Sequence, residues 1–361
     1  DMSKAAYFSG INEVRIIDLN DFESTTIANE ELWGLYNPKP RFSPDGKFLA
    51  FTVRNDFEED IYLYQIEGKR LINLTQTGVP ETNPFWGPEG KYIYFETNRT
   101  KPSYPFGLQE GDIYRIALTR QEDPYKSDEL NKVFNGAEEN KADSISETKI
   151  SKDLIAIDEM EAIGARFGSQ GDPFVLKKGD KTHILYYSNH DENQRALWIT
   201  TLSAFERPKT EKVNGSGGSS GIIAVDGNIY LNVRGVINKL NIASKKLSNV
   251  DTDFTFRKSL REEFDQIYYE TWAGVEENFY NDSFHDMDWP ALRDQYATYL
   301  EHVKSRAELR VLLNDLLGEL NSSHMGFRSG GPEERTTYRM ATASLGLTFE
   351  NDDPYTVKSI I

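Results

Sequence analysis

A twelve-residue segment occurs twice in the first hundred residues, and this repeat restricts the fold more than any other feature. Residues 40–51 read PRFSPDGKFLAF, and residues 84–95 read PFWGPEGKYIYF, 44 residues further on. In each copy a proline, an acidic residue and a glycine stand between two apolar runs. Proline pre-sets the backbone of a tight turn, and glycine accepts the positive φ that closes it. Each copy is therefore predicted to form two antiparallel strands joined by a hairpin turn.

Weaker copies extend the pattern over the first 250 residues. Further strands are predicted in residues 5–8, 13–19, 60–66, 112–118, 173–202 and 221–242. A repeat of roughly 40–45 residues is typical of β-propeller blades, and the Ser-Pro-Asp-Gly-Lys turn resembles Tol-Pal-type and WD-like propeller repeats. We predict a β-propeller of about five blades over residues 1–250, with one blade incomplete and the N-terminus truncated. Aromatic and β-branched residues alternate along the strands, which predicts strands buried on one face.

Two polar segments interrupt the repeats. Residues 135–147 (NGAEENKADSISE) are predicted to form a surface loop or a disordered insertion, and residues 215–221 (GSGGSSG) a flexible loop. The glycine-rich run is not a phosphate-binding loop, because it lacks the following Lys-Ser/Thr and helix. His183 and His190 are assigned no role, because the sequence shows no acidic or nucleophilic partner in register with them.

The composition excludes several classes of function. The 361 residues carry a formal charge of −17 and no cysteine. An acidic chain lacks the basic surface that nucleic acids and anionic membranes require, so neither is predicted as a partner. Thiolate chemistry, disulfides and Cys-bound zinc are excluded, and no apolar run approaches the roughly 20 residues that span a bilayer. No cofactor or metal is predicted. The compartment (periplasm or cytoplasm) and assembly into a homo-oligomer stay open.

After residue 250 the apolar spacing becomes helical. Apolar residues from 260 to 279 recur at three- and four-residue spacing and predict a helix of about 24 residues. Asp288 is typical of the N-cap of a second helix. Ser305 and Glu308 form the capping-box pattern of a third helix, whose apolar face is made of leucines. These are Leu309, Leu312, Leu313, Leu316, Leu317 and Leu320. We expect a three-helix bundle.

The third helix leads directly into a Ser-Ser-His turn. Asn321 is a plausible C-terminal cap, and Ser323 and His324 follow it. Histidine suits general-base work near neutral pH, and a rigid helix end fixes its position. Ser323 and His324 are therefore candidate catalytic residues, with a purely helix-terminating turn as the alternative. A metal site at His285 and the aspartates beside it is a second alternative, but a position just before a helix favours capping.

These helical residues resemble the tricorn proteases, within the wider group of C-terminal-processing-type serine peptidases. The resemblance rests on residues 261–272 (REEFDQIYYETW) and 318–324 (GELNSSH), preceded by a propeller as in that family. It implies that His324 is the general base and that Ser323 helps to orient the catalytic group. It also implies a nucleophilic serine and a glutamate in a later domain beyond a PDZ domain, outside this chain.

The sequence thus predicts a mainly β chain with an α segment: a partial β-propeller (1–250), the helical first half of a peptidase catalytic core (251–340) and the first strands of a PDZ domain (341–361). The resemblance implies part of a serine endopeptidase that hydrolyses peptides, with a propeller that filters or guides them. This chain alone is expected to be inactive. The alternative is a non-enzymatic propeller that senses a peptide or polysaccharide and uses the helices as a scaffold.

Overall fold

The computed structural model divides the chain into two compact units, Asp1–Thr255 and Phe256–Ile361. It describes residues 3–32, 38–55, 58–102, 110–119, 148–150, 160–164, 168–191, 193–252, 254–255, 257–330, 346–350, 352–353 and 355–360. The loop predicted at residues 135–147 lies outside the described residues.

The first unit contains five antiparallel sheets, which follow one another in chain order. The first has three strands: β1 (Lys4–Ser9), β2 (Glu13–Asp18) and β3 (Ser24–Asn29). The second has β4 (Arg41–Phe42), β5 (Phe48–Asn55), β6 (Glu58–Gln65) and β7 (Arg70–Asn73). The third has β8 (Glu81–Trp86), β9 (Tyr92–Thr97), β10 (Asp112–Ala117) and β11 (Glu161–Ala162).

In the last two sheets, as in the first three, strands that are consecutive in the chain are neighbours in the sheet. The fourth has β12 (Gln170–Lys178), β13 (Lys181–Ser188), β14 (Ala196–Leu202) and β15 (Lys209–Lys212). The fifth has β16 (Ser219–Val225), β17 (Asn228–Val233), β18 (Val236–Asn241) and β19 (Lys246–Asn249). The predicted fold class, a partial β-propeller followed by helices, is confirmed.

The second sheet is buried on both faces. In β5, Phe48 and Ala50 point to one side, where they share a core with Trp86 of the third sheet. Leu49 lies between them in sequence and points to the other side, where it shares a core with Val14 of the first sheet. Successive side chains of a strand point to opposite faces, so one strand contributes to two interfaces. The prediction of strands buried on one face was therefore wrong for β5.

The same arrangement joins the later sheets. Tyr94 and Tyr186 belong to the core between the third and fourth sheets. Leu185, the neighbour of Tyr186 in β13, points the other way into a core shared with Leu231 of the fifth sheet. Four apolar cores therefore connect the five sheets pairwise along the chain.

The first strands of three successive sheets carry equivalent irregularities. The pairing register shifts within β8, β12 and β16, next to a residue with positive φ in each case. These residues are Asn83 (φ 53°), Asp172 (φ 57°) and Gly221 (φ 62°). A bulge re-aims a side chain and is often found beside functional sites. In β8 and β12 the residue so placed is polar.

The segment predicted to be a flexible loop, residues 215–221, is instead tied to its surroundings. The buried Ser216 hydroxyl donates to the Val213 carbonyl at 2.7 Å and accepts from the Leu197 amide at 2.9 Å. Ser219 already belongs to β16, and its hydroxyl donates to the Ser216 carbonyl at 2.6 Å. Hydroxyl contacts to backbone, which composition does not reveal, fix this turn.

The second unit contains three α-helices and a strand pair. The helices are α1 (Leu260–Asn278), α2 (Trp289–Ala297) and α3 (Arg306–Gly318), with short 3-10 turns at Phe284–Asp286 and Leu300–His302. Near the C-terminus β20 (Leu347–Phe349) pairs with β21 (Val357–Ile360). The assignment of these strands to a PDZ domain stays a prediction, as do the three domain boundaries.

Two tryptophans hold α1 against α2. The indoles of Trp272 and Trp289 stack at 6.3 Å, and each donates its N–H to the other's backbone carbonyl, at 3.1 and 3.3 Å. Both side chains are buried in one apolar core with the leucine face of α3. The capping prediction for Asp288 is confirmed, since its carboxylate accepts the Ala291 amide at 2.9 Å. Among the residues described, no helix has both the length and the apolarity to cross a membrane.

The helix predicted over about 24 residues has 19. It begins after Ser259, which caps it, and ends at Asn278. Phe279 leaves the helix with an extended backbone, and its ring stacks on Phe284 at 5.4 Å. The apolar spacing, which stops at Phe279, therefore agrees with the helix end to within one residue, and only the predicted length of about 24 residues was too long.

A carboxylate is buried at the start of β8. Glu81 is fully buried, and the Thr77 hydroxyl donates to one of its oxygens. The other oxygen has no hydrogen-bond partner in the described part of the chain. Burial, with a contribution from Asp60, raises the pKa of Glu81 from 4.5 to about 7. The ionised side chain therefore destabilises the folded state at neutral pH.

We expect Glu81→Gln to raise the melting temperature at about pH 8 and to change it much less at about pH 5. Below pH 4.5 the carboxyl is protonated in folded and unfolded protein alike, and between 4.5 and about 7 the folded state alone retains the proton. The wild type consequently loses stability as pH rises through that window, whereas glutamine does not ionise. Thermal unfolding at both pH values is the measurement, with the exposed Glu67→Gln as control. A shift equal at both pH values would contradict this account.

Candidate functional site

The candidate site lies at the C-terminal end of α3, whose start follows the predicted pattern. The Ser305 hydroxyl accepts the Glu308 amide at 3.3 Å. The Glu308 carboxylate reaches one residue further back than in a standard capping box, and accepts the Lys304 amide at 2.7 Å. The leucine face of α3 is buried as predicted, and Leu320 beyond the helix is fully buried. The helix end is therefore firmly anchored.

The chain turns sharply where α3 ends. Asn321 has a φ of 45°, the left-handed conformation predicted for a cap. Ser322 is half-buried, whereas Ser323 and His324 are exposed. His324 itself has a φ of 63°, which is uncommon for a residue with a β-carbon. The turn thus presents the candidate catalytic pair to solvent from a constrained backbone.

Asn314 holds the chain that leaves the turn. Its side-chain carbonyl accepts the Phe327 amide at 2.9 Å, and its amide group donates to the Phe327 carbonyl at 3.1 Å. The same amide group donates to the Arg310 carbonyl at 2.6 Å, which fixes the side chain on the helix. Phe327 and Met325 pack against the apolar core. The segment after His324 is therefore pinned along α3.

His285 holds the chain that enters the turn. Its Nδ1 lies 2.8 Å from the Leu320 carbonyl, so this nitrogen carries the proton and donates. Its Nε2 accordingly accepts from the Tyr280 hydroxyl at 2.5 Å. Both ring nitrogens are used, and the imidazole links the turn to the end of α1. Sequence reasoning had considered this histidine as a metal ligand and missed its contact with Leu320.

The backbone around His285 is itself unusual. Phe284, His285 and Asp286 all have positive φ, at 50°, 56° and 64°. Such a run of left-handed residues costs free energy and persists only where packing holds it. Phe284 provides that packing, since its ring stacks on Trp289 at 5.8 Å. The aromatic core therefore fixes the residue that contacts the candidate turn.

The structure places Ser323 and His324 side by side but does not join them. Within the described residues, the His324 imidazole makes no hydrogen bond and no ring contact, and the Ser323 hydroxyl likewise has no hydrogen-bond partner. Neither nitrogen of His324 is engaged by the part of the chain that the structure describes. The role of Ser323 and His324 in catalysis stays a prediction.

Two histidines of the first unit have partners that the sequence did not suggest. His183 Nδ1 lies 3.0 Å from the Thr201 hydroxyl, and His190 Nδ1 lies 2.7 Å from the Ser188 hydroxyl. The expectation that they lack such partners was wrong. Ser188 is almost fully buried, so its hydroxyl is not accessible for attack on a substrate. In the part of the chain that the structure describes, no cluster of three or more His, Asp or Glu side chains has metal-binding geometry.

Comparison with known proteins places these features in a family context. Residues 1–216 match the TolB beta propeller domain, and residues 260–318 match the Tricorn protease C1 domain. A tricorn-like protease C-terminal subunit from Sulfurisphaera tokodaii is 22% identical over 304 residues, which are 78% of this chain and 33% of that protein. A crystal structure of the tricorn protease has a TM-score of 0.60 at 16% identity, over 88% of this chain and 32% of the other.

The TolB match covers more than half of the chain, so this is a protein of the TolB-type β-propeller class. The C1 match over residues 260–318 adds a more specific likeness, because this part of the chain is similar to the tricorn proteases. The chain spans about a third of the length of the tricorn relatives that it matches. The likeness to the tricorn crystal structure, at 16% identity, extends to the fold and not to the roles of residues.

We expect Asn314→Ala to release the segment after His324 while leaving α3 folded. The variant removes three hydrogen bonds between side chain and backbone, each worth about 1 kcal/mol. Hydrogen exchange at the Phe327 amide should accelerate by tenfold or more, with a smaller fall in overall stability. The neighbouring exposed Asp315→Ala serves as control. Unchanged exchange at Phe327 would show that Asn314 does not hold this segment.

Proposed function

We propose that the chain is the propeller and the first catalytic-core segment of a tricorn-type serine endopeptidase that hydrolyses peptides. His324 is the general base of this enzyme, and Ser323 helps to orient the catalytic group. The observation that carries the proposal is the exposed His324 imidazole, unpartnered among the described residues, which follows shortly after the segment 260–318 that matches the C1 domain. A general base needs such a free nitrogen within reach of the nucleophile.

The nucleophile is proposed to come from outside the 361 residues. The relatives are about two and a half times as long as this chain, which leaves room for further catalytic segments. The nearby hydroxyls do not suit the role: Ser323 makes no hydrogen bond with His324, and the Ser329 hydroxyl is held by Arg310 at 2.7 Å. A serine and a glutamate from a later segment would complete the group around His324.

The propeller is proposed to filter substrate or guide it to the catalytic core. Propellers accept many functions, so this role depends on the family and not on the fold alone. A propeller that only senses peptide or polysaccharide remains the competing hypothesis. It predicts that substitution at His324 has no catalytic consequence in the complete protein.

Our first functional prediction concerns the chain by itself. A fluorescent serine-directed phosphonate should not label this chain, and peptide hydrolysis should be undetectable. The reason is that we assign the nucleophile and the oxyanion hole to segments outside the 361 residues. Mass spectrometry of the treated protein is the measurement. Stoichiometric labelling of Ser322, Ser323 or Ser329 would place the nucleophile within this chain and refute the assignment.

The second functional prediction concerns a complete protein that includes the proposed later catalytic segments. His324→Ala should lower kcat by about 10²–10⁴-fold, the usual contribution of general acid–base catalysis, while leaving the melting temperature within a degree or two. Ser323→Ala should have a smaller effect, because it orients the group and does not transfer the proton. Asn321→Ala, in the same turn, controls for local disturbance. Near-normal turnover in a folded His324→Ala protein would favour the sensor hypothesis.

A further inference from the structure

The propeller unit contains a polar cavity that the proposed function does not use. Its volume is about 330 Å³, and its charged and amide-bearing walls are Glu96, Gln170, Asp172, Asn189 and Arg195. Gly111, Ser169 and Gly171 line the rest. We call it the Glu96 cavity. A cavity of this size accommodates a side chain or a short peptide terminus.

Glu96 is positioned from two sides. Its Oε1 accepts the side-chain amide of Asn83 at 2.6 Å and the backbone amide of Asp172 at 2.8 Å. Its Oε2 makes no hydrogen bond with any residue that the structure describes. One carboxylate oxygen is therefore fixed, and the other accepts no hydrogen bond from the described residues.

The one cation in the described part of the cavity wall, Arg195, is already paired with another wall residue. Arg195 pairs with the Asp172 carboxylate at 2.7 Å and lies over the ring of Tyr187 at 4.8 Å. The described walls hold two carboxylates, Glu96 and Asp172, and one guanidinium. When both carboxyls are ionised their sum is one negative charge, and Glu96 is the carboxylate of these walls without an ion pair among the described residues.

Leaving this carboxylate unmatched has a cost. Burial raises the pKa of Glu96 to about 7, against the two hydrogen bonds that favour the ionised form. Burying a charge without a partner is unfavourable, and charged groups held in that way are found preferentially at functional sites. A cation entering the cavity would remove the cost.

The backbone at the cavity wall is also strained. Asp172 occupies the bulge of β12 with a φ of 57°, and this conformation directs its amide to Glu96. The corresponding bulge in β16 has Gly221, which carries no side chain. In β12 the bulge holds a charged residue at a strained position, as is often found beside a binding site.

We propose that the Glu96 cavity binds the cationic nitrogen of a peptide, with Glu96 as its counter-ion. A primary ammonium would donate to Glu96 Oε2, while Gln170, Ser169 and Asn189 offer further polar contacts. An anion is disfavoured, because it would face the unmatched carboxylate. The cation is either a lysine side chain or a peptide N-terminus, which present the same group. The cavity alone supports a cation site; that its ligand is a peptide rests on the proposed function.

The test is calorimetric titration of this chain with three pentapeptides. The first is acetyl-Ala-Ala-Lys-Ala-Ala-amide, and the second replaces lysine by the neutral norleucine. The third has norleucine and a free N-terminus. We expect the first or the third to bind at least tenfold more tightly than the second, and which one does so identifies the source of the cation. Equal binding of all three, or no binding at millimolar peptide, would overturn the proposal.

A variant that removes the charge of Glu96 tests where the peptide binds. Glu96→Gln keeps an acceptor for Asn83 and for the Asp172 amide, and should weaken the cationic peptide by tenfold or more, the effect of about 1.4 kcal/mol. Glu67→Gln, exposed and equal in charge change, should bind as wild type does. Unchanged binding to a folded Glu96→Gln protein would overturn the assignment. Binding is measured without hydrolysis, so failure here is separable from failure of the peptidase proposal.

Discussion

The first unit depends on strands that are apolar on both faces. Because neighbouring side chains of β5 point in opposite directions, Leu49 and Ala50 belong to different cores. A sheet with two apolar faces buries both only when it lies between two other layers, which for β5 are the first and third sheets. Stability is then shared along the stack, as in other repeat architectures whose units cannot bury their apolar surface alone. The polar cavity beside Glu96 lies between strands of the third and fourth sheets, which this packing holds together.

Local signals in the sequence predicted local structure well. The Pro-Asp-Gly turns and the caps at Asp288 and Ser305 depend on residues within a few positions of each other, so they are readable without the fold. Burial of β5 on both faces was missed, although its near-continuous apolar run is a signal of such strands. The length of α1 was overestimated at about 24 residues, although the apolar spacing itself stops at Phe279, one residue beyond the end of the helix.

The candidate site shows the same division. Ser323 and His324 stand out from sequence, because a helix pattern ends directly before them. The residues that fix their turn do not stand out. Asn314 contacts the backbone of a residue 13 positions away, and His285 contacts one 35 positions away. Contacts at such separations produce no periodic pattern in the sequence. An Asn on the surface of a helix and a His before a helix are common in proteins and do not by themselves indicate a distant contact. Their contacts became visible only in the structure.

Asp172 and His324 are both held in a left-handed backbone by groups outside their own turns. In β12 the Glu96 carboxylate accepts the Asp172 amide; beyond α3, Asn314 and His285 hold the segments on either side of His324. Strained positions cost of order 1–3 kcal/mol and persist only when their surroundings determine them. In each place the group next to the strained backbone keeps free bonding capacity, at Glu96 Oε2 and at the His324 imidazole, within the residues described. A binding or catalytic site requires both a fixed position and a polar group that is free to bond, and these two places have both. That combination, more than exposure or charge alone, is why these two groups are the ones to which we assign function.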